Sequence, residues 1–151
     1  MNDALKLAQT TTFCTFRNGS INARCMLFAN EESLRRFFVL THRATEKLED
    51  LQADHRATLC ILSLPASGEL EQAAETIVQG TTVVTASYSD DWVPDALRRL
   101  ARKQPQLAAM VQAETLGDYR LVRLDASRLV FRTYQETLLN VPKTILQFAT
   151  P

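Results

Sequence analysis

Apolar and polar positions alternate with a period of two along residues 11–17 and again along 20–28, with Asn18-Gly19 between the two runs. Asn-Gly is the dipeptide that best supports positive φ at both central positions of a type I′ turn, so the pattern predicts a β-hairpin. A two-residue turn fixes the register: Arg17 opposes Ser20, Thr15 opposes Asn22, Phe13 opposes Arg24 and Cys14 opposes Ala23. Parity then sorts the faces. Thr12, Cys14, Phe16, Ile21, Ala23, Cys25 and Leu27 share the face expected to line a barrel or sandwich interior. The opposite face, with Thr11, Thr15, Arg17, Ser20, Asn22 and Arg24 among Phe13, Met26 and Phe28, is expected outside, under a ligand, a helix or a second subunit.

Around the hairpin, residues 3–9 predict a short leading helix. Residues 36–41 form a strand that runs into a helix over 45–53, where Leu48 and Leu51 sit three apart among Glu46, Glu49 and Asp50. Thr45 is the expected N-cap. A strand that ends at a helix N-terminus offers unpaired N–H groups and the positive end of a macrodipole, and with Arg43 and Lys47 beside it this is a candidate anion site. The plainer alternative is a capped helix start with Arg43 facing Glu46 and Lys47 facing Asp50. Residues 57–63 predict a central strand and 65–70 a surface loop. Residues 76–88 predict a long strand in which Gly80 marks a bulge or bend. Helices follow from the start signal at 89–94 and over 105–111, then strands at 119–124 and 128–134 separated by Asp125-Ala126-Ser127. An apolar tail, 138–148, interrupted by Pro142, is expected to dock; whether it simply packs on the core, completes a barrel, covers a ligand or crosses to a partner is left open. The fold class expected is α+β, a mostly antiparallel split β-barrel with short connecting helices.

Composition narrows this picture. A chain of 151 residues, 46% apolar, supports one core, and a single domain over 1–151 is expected. Its formal charge of zero gives no sign of a nucleic acid or an anionic membrane as partner, and Arg98, Arg99, Arg102 and Lys103 read as a solvated helix face. No apolar run approaches the roughly 20 residues that span a bilayer, and no leader pattern opens the chain, so a cytoplasmic protein is expected. Cys14, Cys25 and Cys60 read as small buried hydrophobes; Cys14 and Cys25 are diagonal across the hairpin, beyond disulfide reach.

Three features in order carry a family resemblance. They are the hairpin whose second strand reads Arg24-Cys25-Met26-Leu27-Phe28, the strand-to-helix run Leu40-Thr41-x-x-x-Thr45-x-Lys47, and a later strand holding Gly80 before helices. Over roughly residues 10–134 the chain resembles the FMN-binding split-barrel superfamily of pyridoxamine 5′-phosphate oxidase and its small relatives. The resemblance implies that Arg24, Lys47 and Thr45 contact the FMN phosphate, and that Cys25, Met26, Leu27, Leu40 and Thr41 border the isoalloxazine ring. Glu46 stands where relatives often carry a second basic residue, leaving Arg43 as the nearest replacement cation, and Glu75 stands in place of a glutamine. The oxidase's substrate-binding lysine is replaced by Ala29 and its C-terminal Arg/His motif has no match in residues 142–151, so pyridoxamine phosphate oxidation itself is not expected. What is expected is an FMN-dependent oxidoreductase acting on an unassigned small-molecule substrate, homodimeric with flavin at the interface. A deazaflavin, a haem held by His42 or His55, and a cofactor-free ligand-binding or interaction protein stay open as alternatives. No catalytic residue and no metal ligand is assigned.

Overall fold

A computed structural model describes residues 1–65, 67–139, 141 and 143–149, without the side chains of Asn2 and Leu70. Its centre is one antiparallel sheet of seven strands in the order β3-β2-β1-β4-β5-β6-β7, closed by an additional β3–β6 pairing into a six-stranded barrel with β7 outside the ring. The strands are β1 (Thr10–Arg17), β2 (Ser20–Asn30), β3 (Arg36–His42), β4 (Arg56–Ser63), β5 (Ala74–Thr85), β6 (Tyr119–Thr133) and β7 (Thr144–Gln147). Among the described residues five short α-helices accompany them: α1 (Asn2–Leu7), α2 (Glu46–Ala53), α3 (Val93–Lys103), α4 (Ala108–Gln112) and α5 (Tyr134–Leu138). Among the described residues no helix is long and apolar enough to cross a membrane.

The hairpin register is the one the Asn-Gly turn dictates: Arg17 opposes Ser20, Thr15 opposes Asn22 and Phe13 opposes Arg24, with positive φ at both Asn18 and Gly19. The face assignment is reversed. Thr11, Phe13, Thr15 and Phe28 are buried inside the barrel with Leu59, Ile61, Val78 and Leu129, whereas Ile21 is 65% exposed and Cys25 and Leu27 are exposed on the outside. The physical reason lies at the barrel's end, where the polar members of the inward face meet a buried carboxylate from α2. A polar residue can face inward when its partner is already there. Cys25 is therefore no buried hydrophobe, and all three cysteines lie outside as free thiols.

Strand β6 runs unbroken through Asp125-Ala126-Ser127, where two strands were expected. Gly80 explains this. β5 pairs Gln79 with Arg128 and Gly80 with Ala126, so Ser127 is the extra residue of a bulge, and the Ser127 hydroxyl donates to the Gln79 carbonyl at 3.1 Å. A Cβ on Gly80 would lie 2.1 Å from the Asp125 carbonyl oxygen. Past the bulge, β6 leaves β3 and pairs with β7, so the apolar tail docks as a seventh strand, and the Phe148 ring packs on the core. The Pro142 break and Ala66 of the 65–70 loop lie outside the described residues.

α1 buries Leu5 in the core. Lys103, expected on a solvated face, instead donates to the Leu5 and Ala8 carbonyls at 3.1 and 2.9 Å and lies 4.0 Å from the Phe28 ring centroid. α3 lays Ala96, Leu97 and Leu100 over Ala29, Phe38 and Leu121 on one outer wall.

Candidate functional site at the split

β2 and β3 part company early. They pair only through Phe28–Val39, Ala29–Phe38 and Asn30–Phe37, although β2 continues back to Ser20 and β3 on to His42. The backbone edges of Arg24 to Leu27 and of Leu40 to His42 thus face a gap between strands, and α2 starts at its mouth. The residues that the resemblance placed around a flavin ring, Cys25, Met26, Leu27, Leu40 and Thr41, all border this split. Their side chains serve different places: Cys25 and Leu27 are exposed, Met26 packs on the core, Thr41 is buried and Leu40 packs on the α3 cluster.

At the mouth, Arg24 from β2 and Lys47 from α2 come together. Burial pulls the Lys47 ammonium below its ordinary value and the Arg24 charge adds to the shift. Among the described residues Lys47 makes no ion pair. Arg24 is more occupied. One of its terminal nitrogens lies 3.4 Å from Asp50 Oδ2 and 3.3 Å from Thr15 Oγ1, and the other lies 3.5 Å from Glu46 Oε2. Thr45 holds the N-cap position without capping: its hydroxyl donates to the His42 carbonyl at 3.1 Å and lies 3.3 Å from the Thr41 hydroxyl. Arg43 turns away from the pair to Asp118, 3.1 Å distant. Neither i,i+3 pair of the plainer alternative forms, because Arg43 pairs with Asp118 and Asp50 points into the barrel. Glu75 is outside the cluster, on β5, where Arg132 Nε donates to it at 2.6 Å.

Asp50 is the group that sequence reasoning missed. Its side chain is 1% exposed, and Oδ2 accepts from Thr15 Oγ1 at 2.7 Å and Asn22 Nδ2 at 3.0 Å as well as from Arg24. Oδ1 has no hydrogen bond; the Arg17 guanidinium is 3.8 Å away. Burial penalises the ionised form, but the Thr15 and Asn22 donors and the Arg24 charge outweigh it, and the carboxyl titrates below its ordinary value. The signal was available in the register: Thr15, Asn22 and Arg24 share parity with Phe13 and Phe28, and an acid sits beside Leu51 on the helix that follows.

The donor set fits a phosphate. Two cations from different elements, one without a counter-ion, lie beside a helix start and an open strand edge. Glu46 opposes this only weakly, since its side chain is 82% exposed and its contact with Arg24 is a surface ion pair that an anion of higher charge can displace. The residues fit haem less well. His42 Nδ1 accepts the Ala44 N–H at 3.2 Å and its ring packs edge-on to Tyr119, while His55 is an exposed residue after α2. Among the described residues no cluster of three or more His, Cys, Asp or Glu side chains could hold a metal ion.

No protein-family model matches the chain, and no curated protein sequence does. Solved structures do. The haem-binding protein of Mycobacterium smegmatis is 14% identical with a TM-score of 0.72, over 97% of this chain and 55% of that one. The haem storage protein HutZ of Vibrio cholerae is 12% identical with a TM-score of 0.65, over 82% and 85%. A general stress protein 26-related protein of the pyridoxinephosphate oxidase family from Clostridium acetobutylicum is 14% identical with a TM-score of 0.64, over 97% and 90%. The fold is a split barrel. At these identities the likeness is one of fold, shared by split barrels of both the oxidase and the haem-binding kind.

Proposed function

We propose that this split barrel binds FMN at the mouth of the β2–β3 gap and acts, as a homodimer, as an oxidoreductase on a small molecule. The observation that carries the reading is the Arg24 and Lys47 pair. Two neighbouring cations, Lys47 partly desolvated and without a carboxylate partner, repel each other, and a phosphate monoester dianion relieves that repulsion further than the Asp50 and Glu46 contacts of Arg24 already do. Arg24 and Lys47 hold the phosphate and the Thr45 hydroxyl turns to it. The free backbone edges at Cys25 to Leu27 and at Leu40 and Thr41 take the polar rim of the ring. A bound flavin supplies hydride acceptance and return, so the protein's work is to bind, orient and exclude water. Asp50 holds the Arg24 guanidinium in place from inside the barrel.

The outer sheet face supports the dimer. Thr12 is flanked by Cys25 and Cys60, and Ile77, Val130 and Ile145 continue the same cross-strand row, with Ile21 and Leu62 exposed nearby at 65% and 60%. Ile21, Leu62 and Ile145 stay exposed on this face, whereas Val130 in the same row is already buried.

FMN reconstitution followed by a visible spectrum tests the reading. Twin flavin bands are expected, with Lys47→Ala weakening FMN affinity by about tenfold or more. Arg24→Ala should weaken it further, though it also strands Asp50. Retention unchanged in both variants would overturn the site, and a Soret band in place of flavin bands would overturn the cofactor. Gel filtration at micromolar concentration should show a dimer that Leu62→Glu dissociates; a wild-type monomer would overturn the interface. One observation favours a second reading, a cofactor-free ligand-binding barrel: Asp50 and Glu46 already neutralise Arg24. Absence of any flavin binding after reconstitution would establish it over the first.

A further inference from the structure

Helix α2 has a second flank. Arg24 and Lys47 lie on the hairpin side; on the other side Leu48 and His55 face Val83 and Val84 near the end of β5, and Arg120 near the start of β6, around a recess of about 520 Å³. That volume is in the range of small-ligand sites, and neither Arg24 nor Lys47 lines it.

Two features set this recess apart from ordinary surface. The chain carries 17 acidic and 17 basic residues, yet no carboxylate lines the recess, and its charged side chain is Arg120. Among the described residues Arg120 forms no ion pair; one of its terminal nitrogens donates to the Tyr119 carbonyl at 2.8 Å, leaving other donors of the guanidinium fork without a protein acceptor. The second feature is in the strand. Val83 and Val84 are successive, so their side chains stand on opposite faces of β5; Val84, paired with the inward Val122, is the one on the recess side, and it is 36% exposed. The recess therefore pairs the apolar side chains of Leu48 and Val84 with a cation that has no ion-pair partner among the described residues; Glu46 and Glu49 line an adjoining cavity that Arg120 also borders, not this one.

We propose that this recess binds a small amphipathic carboxylate, its headgroup on the Arg120 guanidinium and its hydrocarbon body against Leu48 and Val84. Charge complementarity selects the anion, because a bidentate carboxylate matches the guanidinium fork. The apolar wall selects the body, since a wholly polar anion leaves Leu48 and Val84 in water. The site is independent of the flavin reading: it uses none of the residues that hold the phosphate.

Calorimetric titration of the full chain with decanoate, below its micelle concentration, tests the proposal. Decyltrimethylammonium, with the same tail and the opposite charge, is the counter-probe. One decanoate site per chain is expected, weakened about tenfold by Arg120→Gln and similarly by Val84→Asp, both at partly exposed positions, with circular dichroism to check that each variant is folded. Lys143→Gln, which removes an exposed cation elsewhere, should leave affinity unchanged. No decanoate binding, an unaltered Arg120→Gln affinity, an equal loss in Lys143→Gln, or equal binding of the cationic amphiphile would each overturn it.

Discussion

Replacing Asp50 with alanine tests the network at the barrel end most directly. The substitution removes one buried acceptor from Thr15, Asn22 and Arg24, at 2.7, 3.0 and 3.4 Å. Removing one partner of a buried ion pair costs about 3–5 kcal/mol, because the remaining groups stay desolvated without a partner. Arg24 is 25% exposed and regains some water, which moves the expectation to the low end, about 3 kcal/mol at pH 7. In a chain of this size each kcal/mol shifts Tm by about 2–4 °C, so thermal unfolding followed by circular dichroism should show a drop of roughly 6–12 °C. The pH dependence is a second signature. The folded carboxyl titrates below its ordinary value, so the unfolded chain takes up the proton first as pH falls. Wild type keeps the full contribution above about pH 4 and loses it as pH falls through the lower folded value. The gap between wild type and Asp50→Ala should therefore close in acid. A gap below about 1 kcal/mol at neutral pH, or one that stays constant down to about pH 3, would refute the reasoning.

Other perturbations address other parts of the molecule. Gly80→Ala should cost about 3 kcal/mol or more in urea unfolding, because the added Cβ meets the Asp125 carbonyl and forces β6 off β5; a neutral result would show that the bulge has slack. Burial pulls Lys103 down to about 8, so above that pH the unfolded chain binds more protons than the folded one. Wild-type stability should then rise relative to Lys103→Met as pH goes from 8 to 10. A gap that shrinks over that range would mean the carbonyl and ring contacts hold the proton against burial. In the same variant, limited proteolysis should cut sooner near α1, which loses the cation at its last carbonyls.

What was legible in the sequence follows from where the deciding interactions lie. The hairpin register was readable because Asn18-Gly19 settles it within two residues, and the Gly80 bulge because a glycine inside a strand marks a bend or a close backbone approach. The strand-to-helix passage at 36–53 was readable for the same local reason. The hairpin's inner face was not, because its sign depended on Asp50, distant in sequence, which makes Thr15, Asn22 and Arg24 acceptable inside. Continuity of β6 was hidden likewise: Asp125-Ala126-Ser127 reads as a turn until β5 lies beside it. Of the candidate phosphate ligands, the structure gathers Arg24 and Lys47 beside Thr45 and sends Arg43 to Asp118, a choice made by a loop contact that no spacing rule contains.

Barrel closure bears on how the chain folds. Pairing β1 with β2 and β4 with β5 joins near neighbours, and α2 bridges β3 to β4. The β3–β6 ladder instead joins Val39 to Val122, roughly eighty positions apart, and the entropy of closing so long a loop is lost before any contact in that seam repays it. Closure is thus expected to come late, after the hairpins have formed. Until then β3 presents Phe37, Phe38 and Val39 on an unpaired edge, and self-association at high protein concentration should compete with the last step of folding.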